Sequence, residues 1–170
     1  MIHIFSPHEK TNVFEVFLLD GVTGSGKTEV YMQLITHMIA LNKQTLILVP
    51  EINLTPQTLQ RFQERFNTPI AVLHSQISEK TRASSWLSAQ NGSALIVLGT
   101  RLAAFTPLKT PGLFIIDEEH DLAFKQQDHF RYSARDLLLK RAQIEKCPVL
   151  LGTATPSLET WHNVLTKKFN

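Results

Sequence analysis

The stretch VFEVFLLDGVTGSGKTEVY, residues 13–31, begins as a nearly continuous apolar run, breaks at a glycine-rich segment and resumes with helical spacing. Its first part, 13–20, predicts a buried strand, and the pattern from about Lys27 to Leu41 predicts a helix. Between them GVTGSGKT, 21–28, satisfies G-x-x-x-x-G-K-[ST] at every fixed position. Glycines there let backbone N–H groups turn inward around an anion without a Cβ clash. Gly21, Val22, Thr23, Gly24, Ser25, Gly26, Lys27 and Thr28 are therefore the expected phosphate loop. Lys27 can reach the terminal phosphates of a nucleotide, and the Thr28 hydroxyl can ligate Mg²⁺. The following helix presents the positive end of its dipole to the same anion. A chance glycine-rich turn would not need a strand before it and a helix after it.

The remaining segments alternate in the same way. TLILVP (45–50), PIAVL (69–73), ALIVLG (94–99), LFIID (113–117) and PVLLG (148–152) predict strands. TPQTLQRFQERF (55–66) predicts a helix, with Thr55 as N-cap and Pro56 in its first turn. ISEKTRASSWLSAQ (77–90), SARDLLLKRAQIE (133–145) and SLETWHNVL (157–165) predict three more. The strands are apolar throughout instead of alternating, so both sheet faces need cover. The alternation predicts an α/β fold of the P-loop NTPase type, a mostly parallel sheet with helices on both faces. Ligands bind such sheets at the carboxyl ends of the strands.

At 170 residues, 43% apolar and 19% charged, the chain is long enough for one domain with a core. A net charge of +2 excludes a polybasic nucleic-acid binder but leaves room for a local basic patch. The single cysteine, Cys147, excludes a disulfide framework and a cysteine-based zinc site within this chain; it precedes a strand and is expected to be inert. No apolar run could span a membrane and MIHIFSPHEK is not a signal peptide, so a soluble, reducing-compartment protein is expected. Trp86 and Trp161 fall in helical patterns and predict packing.

LFIID opens onto DEEHD at 117–121, and then onto Phe124, Phe130 and Tyr132 among polar residues. Packed like charges and loose rings both call for ligands. Beside a phosphate loop, an Asp at a strand end supplies a second Mg²⁺ contact, here Asp117. Glu118 is then placed to orient or deprotonate an attacking water. A solvated acidic turn is the alternative.

Several of these segments together resemble one family. DEEH at 117–120 resembles the DEAD/DEAH box of superfamily 2 helicases, and LVPEINLTPQ (48–57), GTRLAAFTP (99–107) and LGTATPSLE (151–159) resemble helicase motifs Ia, Ib and III. Their order and flanks, with KQ, RY and ARD after the box, are similar to the bacterial primosomal protein N′ family of replication-restart helicases, from about residue 18 to the C-terminus. The resemblance implies a 3′→5′ ATP-dependent DNA helicase that couples Mg-ATP hydrolysis to translocation and unwinding at stalled forks. It implies a first RecA-like lobe at 18–170, with 1–17 a truncated lead-in. A second lobe with its arginine finger, an N-terminal DNA-binding region and a zinc-bearing cysteine-rich segment would lie outside this chain. The isolated lobe is accordingly expected to turn over ATP weakly or not at all. Implied partners are single-stranded and forked DNA, other primosome proteins and single-stranded DNA-binding protein, in a bacterial cytoplasm and close to the nucleoid.

By the same resemblance Lys27 and Glu118 are catalytic, Thr28 and Asp117 hold the metal, and His120, Thr153 and Thr155 couple hydrolysis to movement. DLAFKQQDHFRYSARD (121–136) resembles the aromatic-rich loop of this family and of RecQ helicases. That implies single-stranded DNA at Phe124, Lys125, Phe130, Arg131 and Tyr132, with Arg135 a further phosphate contact. Bases stack on aromatic faces at about 1–3 kcal/mol each without sequence readout. The other reading of the rings is that they tuck into the core under the loop. Thr100 and Arg101 are expected to hold backbone phosphates, unless Arg101 makes a structural salt bridge. Leu102 stands where a small hydroxyl residue is usual, and residues 1–17 lack the family's adenine-reading Asn-x-x-Gln element. The alternatives are another superfamily 2 DNA translocase, RecG-like or of the restriction-enzyme type, or a nucleotide- and DNA-binding module without strong turnover. A kinase or GTPase is disfavoured, since neither a phosphoacceptor pocket with an arginine-bearing lid nor N-K-x-D is found.

Overall fold

In a computed structural model, which describes residues 13–128 and 130–170, the elements follow one another as the sequence pattern predicts. They are β1 (Val16–Asp20), α1 (Lys27–Ala40), β2 (Gln44–Leu48), α2 (Pro56–Arg65), β3 (Ile70–Leu73), α3 (Glu79–Asn91) and β4 (Ile96–Gly99). Then come β5 (Pro111–Asp117), β6 (Lys125–Gln126), β7 (Tyr132–Ser133), α4 (Ala134–Glu145), β8 (Val149–Thr153) and α5 (Leu158–Leu165). Short 3₁₀ turns at Glu51–Asn53, Arg101–Phe105 and Leu122–Phe124 fill three of the connections.

Hydroxyl caps fix where the helices start. Thr55, Ser78, Ser133 and Ser157 each accept a hydrogen bond from the backbone N–H three residues on, which satisfies one of the orphan donors of α2, α3, α4 and α5. Gly92, left-handed at φ 80°, ends α3. The first helix is different: α1 begins on Gly26, which has no side chain to cap it.

Six strands form one parallel sheet in the order β1-β8-β5-β2-β4-β3. Its two faces are buried by different helices. Leu46, Leu48, Val97, Phe114, Ile116, Val149 and Leu151 pack toward α3 and α4, against Ala89, Leu138 and Ala142. The alternate residues, Ile47, Ile96, Leu98, Leu113, Ile115 and Leu150, pack toward α1 and α2, against Ile35, Met38, Phe62 and Phe66. Burial on both faces is why the strands read as unbroken apolar runs. In register, Asp20 lies beside Thr153, Asp117 beside Gly152 and Leu48 beside Gly99, so the strands release their loops at one level.

Three details depart from expectation. Val16 and Phe17, placed in the lead-in, pair with Val149 and Leu150 in β1; residues 1–12 of that lead-in lie outside the described residues. The segment after the acidic box forms a small antiparallel hairpin, Lys125 opposite Ser133 and Gln126 opposite Tyr132. Trp161, expected to pack, is 46% exposed. Cys147 is buried, as its inertness requires, and burial pushes its thiol up to about 12. Among the described residues no helix is long and apolar enough to cross a membrane.

Candidate functional site

Residues 21–26 leave β1 at the carboxyl edge of the sheet and enter α1. Gly21 N–H donates to the Thr153 carbonyl at 3.0 Å, which ties the loop to β8, and Ser25 N–H donates to the Val22 carbonyl at 3.0 Å. Gly24 and Gly26 adopt φ of 82° and 92°. A Cβ at either would touch nothing within 4 Å, so glycine is needed for its conformation and not for space. Because α1 is uncapped, its first N–H groups face outward at the positive end of the helix dipole. Val22, Thr23, Gly24 and Ser25 are exposed, and Lys27 is only 9% exposed. The Lys27 ammonium donates to the Gly21 carbonyl at 2.7 Å and lies 3.7 Å from Glu118 Oε1.

Asp117 ends β5 and Glu118 follows it, opposite this loop. Asp117 and Thr28 line one cavity of about 270 Å³, with Tyr31, Asn53, Arg61 and Phe62 on its other walls. Burial pushes the Asp117 carboxyl above the ordinary carboxylate range, opposed by a hydrogen bond from Tyr31, reinforced by Glu118 and opposed by Lys27. Tyr31 Oη donates to Asp117 Oδ1 at 2.9 Å. Burial, and then the Asp117 charge, drive that phenol well above its usual value, so it stays a donor. Tyr31 comes from α1, one turn after Lys27. Sequence reasoning missed it, although the i, i+4 spacing from Lys27 was a signal. Glu118 has φ of 50°, which turns its carboxylate away from the strand direction and toward Lys27 and His120.

The three residues expected to couple do meet. His120 Nδ1 lies 2.7 Å from Thr153 Oγ1, its Nε2 lies 3.3 Å from Thr155 Oγ1, and Nδ1 is 3.8 Å from Glu118 Oε2. Thr155 N–H donates to Thr153 Oγ1 at 3.1 Å, so the hydroxyl of β8 is shared between the histidine and its own loop.

Glu119, which the sequence did not single out, is 2% exposed. It accepts from Ser157 N–H at 2.8 Å, Arg135 Nη1 at 3.0 Å, Thr160 Oγ1 at 3.0 Å and Ser157 Oγ at 3.3 Å. Arg135 also donates to Asp136 at 2.9 Å and to Glu159. Burial works against its charge, but the bonds to Glu159 and Glu119 more than offset that and raise its pKa. Arg135 is therefore not a phosphate contact: all three of its nitrogens are taken up by carboxylates and Ser157.

The residues expected at DNA separate into two groups. Phe124 is corrected: it is 2% exposed and belongs to the core with Phe114, Leu138 and Leu151, so it offers no face to a base. Phe130 is 73% exposed, and Lys125 and Arg131 are exposed beside it. Tyr132 lies between, its ring 5.1 Å from Phe105 edge-on and 5.9 Å from Phe130. Its buried hydroxyl has no hydrogen-bond partner among the described residues. Phe105, a further ring of this cluster, was missed because it lies on the separate GTR turn. Thr100 is buried and borders a cavity of about 170 Å³ with Arg101, Ser75 and Phe124. Among the described residues Arg101 makes no salt bridge, and it is not a free surface charge: Nη1 donates to the carbonyls of Ala123 and Lys125, both at 3.3 Å, and so holds the start of the aromatic-rich loop.

The family model described as DEAD/DEAH box helicase matches residues 4–164. The replication restart protein PriA of Haemophilus influenzae is 54% identical over 156 residues, which are 92% of this chain and 21% of that protein. PriA of Bacillus subtilis is 46% identical over 147 residues, 86% of this chain and 18% of that protein. This chain thus spans about a fifth of the length of these relatives. Among solved structures, the C-terminal domain of the DEAD-box protein Dbp5 matches with a TM-score of 0.64 at 10% identity, covering 95% of this chain and 89% of that one. RecG bound to a three-way DNA junction matches with a TM-score of 0.59 at 24% identity, covering 88% of this chain and 19% of that one. At these identities the likeness to solved structures is one of fold, here the RecA-like α/β fold of helicase lobes.

Proposed function

The chain belongs to the DEAD/DEAH box helicase family, and from that premise we propose that residues 18–170 are the nucleotide-binding motor lobe of a replication-restart DNA helicase of the PriA type. The observation that carries this is the meeting of three separate segments at one sheet edge. Lys27 lies 3.7 Å from Glu118, and Glu118 lies 3.8 Å from a histidine bonded to Thr153 and Thr155.

In this proposal the loop 21–26 and the uncapped start of α1 bind the phosphates of ATP. Lys27 brings its ammonium to the terminal phosphates. Thr28 and Asp117 offer hard oxygen donors on one cavity, a set that suits Mg²⁺, which keeps several waters and shares phosphate oxygens. When bound, the ion would supply charge neutralisation at the phosphates. Glu118 takes the proton from, or orients, the attacking water. His120 is held by the hydroxyls of Thr153 and Thr155, so a change at Glu118 is felt at the turn after β8. Single-stranded DNA lies along Phe130, Arg131, Lys125 and the outer face of Tyr132, with Arg101 fixing that loop. Thr100, largely buried, borders the cavity it shares with Arg101.

The same proposal places 3′→5′ unwinding of forked DNA, other primosome proteins, single-stranded DNA-binding protein and a zinc-bearing segment with the whole protein, in the bacterial cytoplasm. The 46–54% identity to PriA supports it over a RecG-like motor, whose likeness rests on 24% identity. The test is Glu118→Gln in the full-length protein. We expect DNA-stimulated ATP hydrolysis to fall by about 10²–10⁴-fold with nucleotide binding retained. Hydrolysis at the wild-type rate would overturn the role of Glu118.

A further inference from the structure

Three segments far apart in sequence meet behind Asp117. Tyr31, on α1 and 3% exposed, donates its hydroxyl to Asp117 Oδ1 at 2.9 Å. Its ring end lies directly over Gly152 of β8, where a Cβ would fall 1.6 Å from Tyr31 Oη. Any side chain at 152 would drive the hydroxyl off the carboxylate. Asp117 and Gly152 are register partners across β5 and β8, so the backbone that holds the aspartate also sets the space for the tyrosine.

From this juxtaposition we infer that Tyr31 sets which divalent cation the nucleotide site accepts, by reserving one oxygen of Asp117. The inference rests on the reading of Asp117 as the metal-binding carboxylate. A carboxylate whose Oδ1 accepts from a buried phenol is biased to meet a metal through Oδ2. Mg²⁺, small and octahedral, takes carboxylates through single oxygens and keeps its waters. Ca²⁺ is larger, takes more ligands and readily grips both oxygens of a carboxylate. A donor fixed on Oδ1 thus favours Mg²⁺ and disfavours the bidentate grip. Partners that orient a ligating group in this way typically change metal affinity by about 10–100-fold when removed. Tyr31 touches neither nucleotide nor water in this account; it is a positioning residue acting through Asp117.

The test uses the 170-residue chain and a fluorescent ADP analogue, titrated with MgCl₂ or CaCl₂, for wild type, Tyr31→Phe and Gly152→Ala. Tyr31→Phe keeps the ring and its packing, and thermal melting checks that both variants fold. The quantity read is the ratio of half-saturating Ca²⁺ to half-saturating Mg²⁺. We expect the ratio to fall by about 10-fold in Tyr31→Phe and in the same direction in Gly152→Ala. A loss of packing alone would weaken both ions equally and leave the ratio unchanged. A wild-type ratio in a folded Tyr31→Phe overturns the inference whatever happens to overall affinity. If the wild type itself binds no nucleotide with either ion, the reading of Asp117 fails first, and this inference falls with it.

Discussion

Glu118 sits at φ 50°, a left-handed conformation that side-chain-bearing residues seldom adopt and that costs about 1–3 kcal/mol. Its neighbour Asp117 adds a half-buried carboxyl whose pKa is raised. Both costs fall on residues to which the proposed function gives chemistry, the usual trade between a site and its fold. The sign for Asp117 follows from linkage. The folded carboxyl holds its proton to higher pH than the unfolded one, which ionises near 3.8. Stability is therefore lost as pH rises from that value through the raised folded pKa. Asp117→Asn should melt above wild type at pH 7 without nucleotide, and the gain should vanish by pH 3; equal gains at both would contradict the charge argument. The two phenylalanines of the loop should also part company. Phe124→Ala should lose about 3–5 kcal/mol of stability. Phe130→Ala should leave stability within about 0.5 kcal/mol and lose about 1–3 kcal/mol of single-stranded DNA affinity, read by unfolding and by anisotropy.

At the scale of elements, Glu119 joins the turn after β5 to the starts of α4 and α5 through Arg135, Ser157 and Thr160. Since α4 begins where the aromatic hairpin ends, this network holds both the acidic box and the loop against one another. Glu119→Ala would leave the buried Arg135 short of its inner partner and should cost about 3–5 kcal/mol. Replacing both by apolar residues should cost less, and chemical denaturation of the three variants would separate these cases. The network also marks where the sequence stops being legible. Strands and helices could be read because their periods and caps are local: Thr55 and Gly92 announce their own ends. The glycine-rich loop between β1 and α1 could be read because its spacing is local too. Glu119 and Arg135 are sixteen residues apart, and nothing near either says that they pair inside the protein. The same holds for Phe124: the apolar neighbours that bury it, Phe114, Leu138 and Leu151, come from β5, α4 and β8. Its ring looked loose only because its partners are distant in sequence.

At the scale of the molecule, a doubly covered parallel sheet presents Asp20, Asp117 and Thr153 side by side at its carboxyl edge, and the loops that follow them make the site. Helices α1 and α2 hold one face and α3 and α4 the other, so loops leaving both sides of the sheet converge there. The chain matches about a fifth of its relatives' length, so the central claim at this scale is that the lobe alone forms the nucleotide site. The direct measurement is Mg²⁺-dependent binding of a fluorescent ADP analogue to the 170-residue chain, beside Lys27→Ala and Asp117→Ala. We expect saturable binding by the wild type and at least about 10-fold weaker binding by each variant, with all three folded. A folded wild type that binds no nucleotide, or variants that bind as tightly as it does, would contradict it.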